Sequence, residues 1–154
     1  MKTNTETQAP ALDLTQRPPR SPRSRLGGYV ILPRILDKAR ARHAGTIGDY
    51  VYNSTLDGLF FRFVGLNPDE LFEQVKTGAG DWQILKWIET KISPKQPWEI
   101  SAWSDYAADF TFHDLEGREW LTDEIRRINP DRDDIQTIFD RIDLDDYISF
   151  GGKA

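Results

Sequence analysis

From Tyr29 onward, apolar residues recur mostly at helical spacing. Ile31, Leu32, Ile35, Leu36 and Ala39 form one stripe, with Arg34, Asp37, Lys38 and Arg42 outside it. Pro33 suits the first turn of that helix, where its missing N–H is no loss. Leu56, Leu59, Phe60 and Phe63 form a second stripe, with Ser54 or Thr55 as cap and Gly65 as stop. Asn67 is a good N-cap for a third helix, with Pro68 at the first position and Glu70 placed to reach back to the cap. Leu66 and Leu71 have the spacing of a hydrophobic staple, and Gly78 marks the end of that helix. Asp81 is expected to cap a fourth, with Ile84, Leu85, Ile88 and Ile92 inward. Trp103, Tyr106, Ala107 and Phe110 form the next stripe. Leu121, Ile125 and Ile128 form another, ended by Asn129-Pro130. Ile135, Ile138, Phe139 and Ile142 form the last, with Asp131 or Asp133 as its cap. Tyr50, Val51 and Tyr52 read as a short extended piece with no obvious strand to pair with.

The pattern predicts an all-α fold: a single compact domain of six or seven short helices with an extended Pro/Arg-rich N-terminal arm. Strands are too few, and loops too short, for a parallel sheet. Residues 1–12 are expected to be a disordered tail, and residues 13–152 one helical domain that includes the basic arm 17–28. Pro18, Pro19 and Pro22 bias the arm toward extended chain, and Gly27-Gly28 marks a hinge or close-packed turn before the first apolar run. The 154 residues suffice for one domain with a core.

Charge changes this picture. Residues 17–42 hold eight basic residues against the single acid Asp37, whereas residues 45–154 hold 11 basic and 22 acidic residues. Either the basic segment lies across the chain's own acidic body or it reaches an anionic partner. The chain has no cysteine, which excludes disulfides and thiolate chemistry, and no apolar run long enough to span a bilayer. A cytoplasmic location and no membrane partner are the simplest expectations. With a net charge of −5, nucleic acid is a disfavoured partner.

Several blocks together carry a resemblance. They are Asp13-Leu14-Thr15, Arg17-Pro18-Pro19-Arg20-Ser21-Pro22-Arg23 and Leu26-Gly27-Gly28-Tyr29, then the run from Leu32-Pro33-Arg34 to Ala41. Ala44-Gly45-Thr46-Ile47-Gly48-Asp49-Tyr50, Leu56-Asp57 and Asp145-Asp146-Tyr147-Ile148-Ser149-Phe150-Gly151-Gly152 follow. In this order they resemble the bacterial family of domain of unknown function 5069. The resemblance implies one whole-chain domain that retains the arm as a docked part. It implies no activity, cofactor or catalytic residue.

The candidate site lies on the helix after the arm. Arg34, Asp37 and Lys38 share a face, and with Tyr50 and Asp57 they form a candidate anion-binding set. In that reading the Arg34 fork grips a carboxylate or phosphate, Lys38 adds a point charge, and Asp37 orients Arg34 or accepts a proton. The competing reading is a salt-bridged surface beneath the acidic body. Gly45–Tyr50 lacks the Gly-Lys-Ser/Thr of a phosphate loop and reads as a helix C-cap followed by a turn. His43 and His113 are too sparse for a metal, and Asp140, Asp143, Asp145 and Asp146 lack the pattern of a calcium loop, so no metal and no cofactor are expected. The acidic run reads instead as a solvated or arm-facing edge. No serine sits in a nucleophile pattern. These readings converge on a non-catalytic binding or interaction protein with a small-anion site. The alternatives are an enzyme acting on a small anionic metabolite, and a weak nucleic-acid or anionic-surface binder acting through the basic segment.

Overall fold

The computed structural model describes residues 9–153; most of the tail expected over 1–12 therefore lies outside the described residues. Within them run a two-residue hairpin, β1 (Arg25–Leu26) and β2 (Tyr29–Val30), and seven helices. These are α1 (Leu32–Ala44), α2 (Asp57–Val64), α3 (Pro68–Val75), α4 (Asp81–Lys91), α5 (Pro97–Ala108), α6 (Leu115–Ile128) and α7 (Ile138–Ser149). The helical class and helix number agree with the sequence pattern. The hairpin was not anticipated, because two residues per strand are too few to show alternation. Arg25 pairs with Val30 and Leu26 with Tyr29. Between them Gly27 and Gly28 both have positive φ, 58° and 85°, as a tight two-residue hairpin turn demands. A Cβ on Gly27 would sit 2.6 Å from Leu85 Cδ2, so this turn is pressed against α4.

The expected extended piece at Tyr50–Tyr52 is not a strand. It is loop and turn, with Asn53 at φ 58°, and Tyr52 is pinned by donating its hydroxyl to the Pro68 carbonyl at 2.6 Å.

Helix α1 is the centre of the fold. Every residue from Leu32 to Ala39, and Ala41, is buried, so the helix is enclosed on its charged faces as well as on its apolar stripe. Its N-cap is Ile31, fully buried at φ 71°, a conformation disfavoured for a β-branched residue. Its C-terminus closes as the glycine pattern predicts: Gly45 is left-handed and the Thr46 N–H donates to the Ala41 carbonyl at 2.8 Å. Around α1 pack Tyr29, Phe60, Leu71, Ile84, Ile88 and Phe139. Tyr29 meets Phe60 edge-on at 5.5 Å, and Phe63 stacks on Trp103 at 4.8 Å.

Helix ends follow short-range chemistry, with corrections at the starts of α2, α3, α4 and α7. Asn67 caps α3 by accepting the Asp69 N–H at 2.8 Å, and Leu66 and Leu71 are both buried, as the staple requires. Among the described residues, the return bond expected from Glu70 is not made. Asp81 does not cap α4. It is the first helical residue, Gly80 is the N-cap, and the Asp81 carboxylate is drawn sideways to two arginines. For α7 the cap is Thr137, not Asp131 or Asp133: its hydroxyl accepts the Asp140 N–H while Asp140 accepts the Thr137 N–H, both at 3.1 Å. On α5 the buried positions are Ser104 and Ala107, and Tyr106 turns outward at 58% exposed. The rotation is set by Ser104, whose hydroxyl donates to Gly28 O at 2.7 Å and accepts the Val30 N–H at 3.3 Å, fastening α5 to the hairpin. For α2 the N-cap position is Leu56, not Ser54 or Thr55; Ser54 acts before the helix instead, exchanging backbone–side-chain bonds with Asp57 at 3.1 and 3.3 Å.

Candidate functional site

The arm positions the first charged group. Leu14, Pro19 and Pro22 are buried. Backbone bonds tie the arm down: Leu14 N–H donates to Thr46 O at 2.9 Å and Ile31 N–H to Pro22 O at 2.9 Å. Arg20 is thereby laid against α1. Its Nε and backbone N–H both donate to Asp37 Oδ2, at 3.0 and 2.9 Å, and its Nη2 donates to Oδ1 at 2.9 Å. The same guanidinium reaches Asp81 at 2.7 Å, and Arg40 reaches the other Asp81 oxygen at 2.7 Å. Burial pushes the Asp81 carboxyl up, but the hydrogen bonds from Arg20 and Arg40 outweigh it and hold the group below the usual aspartate range.

On the adjoining face of α1, Arg34 is 5% exposed and takes Asp146 of α7 through Nη1 at 2.7 Å and Nη2 at 3.4 Å. Tyr50 donates its hydroxyl to Asp146 Oδ1 at 2.7 Å, and the Arg34 guanidinium lies over the Tyr50 ring at 5.4 Å. Burial, then the bond to Asp146, raises the Tyr50 phenol above its ordinary range. One turn along α1, Lys38 is buried and gives its ammonium to both Asp57 oxygens at 2.7 and 2.8 Å, with Ser54 Oγ at 3.4 Å. Burial lowers the Lys38 ammonium, and the Asp57 carboxylate opposes that only in part.

The candidate set is therefore sorted into three groups. Arg34 and Tyr50 converge on one carboxylate, Lys38 and Asp57 form their own pair, and Asp37 faces the arm. The residues that sequence reasoning left out of the set are their counter-charges: Asp146, Asp81 and Arg20, with Arg40. Asp140, Asp143 and Asp146, three apart along α7, offered a signal, since that spacing puts three carboxylates on one helical face. That face meets the arm: Ser21 donates to Asp143 at 2.7 Å, Arg23 to Asp143 at 3.3 Å and also to Asp140.

Beside Tyr50 lies a cleft of about 420 Å³ lined by Leu14, Thr15, Gly48, Asp49, Tyr50, Asp145, Ser149 and Phe150. Its charged members are carboxylates, the wrong sign for an anion. Among the described residues, no group of three or more His, Cys, Asp or Glu is placed to hold a metal ion, and no helix is long and apolar enough to cross a membrane.

The fold and these contacts define a small, mostly helical domain closed over a central helix by buried ion pairs. A family model described as domain of unknown function (DUF5069) matches residues 16–148, and the chain belongs to that family. The match includes the arm from Gln16, the whole of α1 and the α7 carboxylates. No curated protein matches the chain.

Proposed function

We propose that this protein is a non-catalytic binding or interaction protein, and that the charged face of α1 serves its fold rather than a substrate. The observation that carries the reading is the pairing of three of the four α1 lysine and arginine side chains with carboxylates of the same chain: Arg34 with Asp146, Lys38 with Asp57, Arg40 with Asp81. The fourth, exposed Arg42, lies over the Phe72 ring at 4.5 Å. An enzyme acting on an anionic metabolite would need one of these groups free in the resting state. Displacing a buried partner leaves its carboxylate desolvated, at a cost of about 3–5 kcal/mol. A small-anion site would require the anion to replace the Asp146 carboxylate between Arg34 and Tyr50. Binding of nucleic acid by the arm meets the same difficulty, because Arg20, Arg23 and Arg25 are engaged by Asp37, Asp81, Asp140, Asp143 and Asp105.

The test is a metabolite turnover panel run alongside calorimetric titration with inorganic phosphate and citrate. The reading expects no turnover and no saturable heat at millimolar anion. Turnover lost in Lys38→Met, with unfolding still cooperative, would establish an enzyme instead. Saturable anion binding abolished by Arg34→Lys, with unfolding still cooperative, would establish a small-anion site.

A further inference from the structure

We propose that an exposed acidic and aromatic band from the end of α5 to the middle of α6 docks a Lys/Arg-rich segment of a protein partner. This rests on the non-catalytic reading above and supplies the surface it needs. Four rings form the band in edge-to-face order: Tyr106 to Phe110 at 6.2 Å, Phe110 to Phe112 at 6.1 Å, Phe112 to Trp120 at 5.7 Å. Tyr106 and Trp120 are exposed, and Leu115 at the start of α6 is, among the described residues, the most exposed large apolar residue, at 72%. Contiguous exposed apolar surface of this kind is characteristic of interaction sites.

The band is held in place. Gly117 has no room for a Cβ, which would lie 2.4 Å from Phe112 Cγ, so the Phe112 ring sits directly on the α6 backbone. Asp114 accepts the Gly117 N–H at 2.7 Å, and the Ile138 N–H donates to Phe110 O at 3.1 Å. The connecting loop therefore presents its rings without first having to be ordered, which lowers the cost of binding.

Charge selects the occupant. Residues 105–123 hold six carboxylates and one arginine, Arg118. Asp105 is taken by Arg25. Asp109, Glu116 and Glu119 are exposed and make no ion pair among the described residues. Aromatic faces and unpaired carboxylates together attract guanidinium and ammonium groups. The band already takes one such group from its own chain: Arg141 lies over the Trp120 ring at 5.1 Å. A second copy of this chain, net −5, would bring the same acidic surface and be repelled. A nucleic acid or an anionic membrane meets the same repulsion.

The test is fluorescence anisotropy of a labelled nine-residue peptide alternating Arg and Ser, titrated with the full chain at low and moderate salt. The expected result is saturable binding, weakened about tenfold or more in Tyr106→Ser/Trp120→Ser. Glu116→Gln/Glu119→Gln, which alters only exposed side chains, should weaken it as well. Glu70→Gln/Glu89→Gln, removing the same charge from α3 and α4, should leave it unchanged. Equal weakening in the two Gln pairs would reduce the attraction to diffuse charge and overturn the proposal. So would absence of saturable binding, or capture by the band of a single-stranded oligonucleotide or phosphatidylserine vesicles instead. Metabolite turnover with peptide binding intact would overturn the non-catalytic reading alone; loss of the peptide result without turnover would overturn this surface alone.

Discussion

At Lys38, burial and pairing pull in opposite directions. The ammonium is lowered by desolvation and restored in part by Asp57, which is fully buried and has no other cation at hydrogen-bond distance among the described residues. Removing one partner strands the other. Asp57→Asn should destabilise by about 3–5 kcal/mol in urea unfolding, whereas Lys38→Met/Asp57→Leu should recover most of that loss. Equal loss in both variants would mean that the pair itself, and not a stranded charge, sets the cost. The tyrosines act at the alkaline end. Tyr50 and Tyr52 are both raised, chiefly by burial, so the folded state holds their protons more tightly than the unfolded chain. Their contribution is whole below the unfolded value of about 10 and falls away as pH rises above it. Stability should therefore decline above about pH 10, and Tyr50→Phe/Tyr52→Phe should make that decline shallower. Lys38 acts with the opposite sign, because its lowered ammonium sheds a desolvated charge as pH rises, so the variant comparison rather than the raw profile isolates the tyrosines. An unchanged slope in the double variant would contradict this assignment.

Among the elements, the hairpin and the helix ends carry the geometry. Gly27 joins a left-handed φ of 58° to close contact with Leu85. Gly27→Ala should cost about 2–4 kcal/mol, from the φ penalty and overpacking together, read as a fall in the urea midpoint. A neutral result would mean that Leu85 yields and the turn is looser than described. What was legible in the sequence at this scale was local. Asn67 and the Leu66–Leu71 staple, Gly45 as a C-terminal stop and the stripe of α1 all depend on residues within one or two turns. Thr137-x-x-Asp140 was equally local and marks the true start of α7. Asp81 looked like a cap because its short-range context fits one, but Arg20 and Arg40 compete for its carboxylate from 61 and 41 positions away. The α5 stripe holds at Trp103 and Ala107 but fails at Tyr106 for the same reason, since Ser104 is turned inward by Gly28 and Val30 of the hairpin.

For the whole molecule, the charge split is the organising fact. Six of the eight basic residues in 17–42 meet carboxylates, supplied mainly by α2, α4 and α7, so chain segments far apart in sequence are fastened across one helix. The sequence showed that the two halves were complementary and that an arm-facing acidic edge was one outcome. It did not show that α1 would be enclosed on its charged faces. The spacing of Asp140, Asp143 and Asp146 marks an acidic face on α7, but not which cation that face meets, and nothing in the periodicity pairs Asp37 with Arg20 or Lys38 with Asp57. Asp81 adds a pH signature at this scale. Its depressed carboxyl contributes stability that is present above the unfolded value of about 3.9 and lost as pH falls through the folded value. Acid unfolding should therefore be less steep in Asp81→Asn than in the parent chain; an unaltered acid limb would show that Arg20 and Arg40 do not hold this carboxylate. The arm is the most direct witness to the whole account, and trypsin reports on it, since Arg20, Arg23 and Arg25 lie in the segment fastened to the body. Limited proteolysis across a urea series should cleave after these three residues only as fast as the whole domain unfolds, with the same urea dependence as global unfolding. Rapid removal of the arm in the absence of urea, leaving a folded body, would contradict the claim that these charges close the fold upon itself.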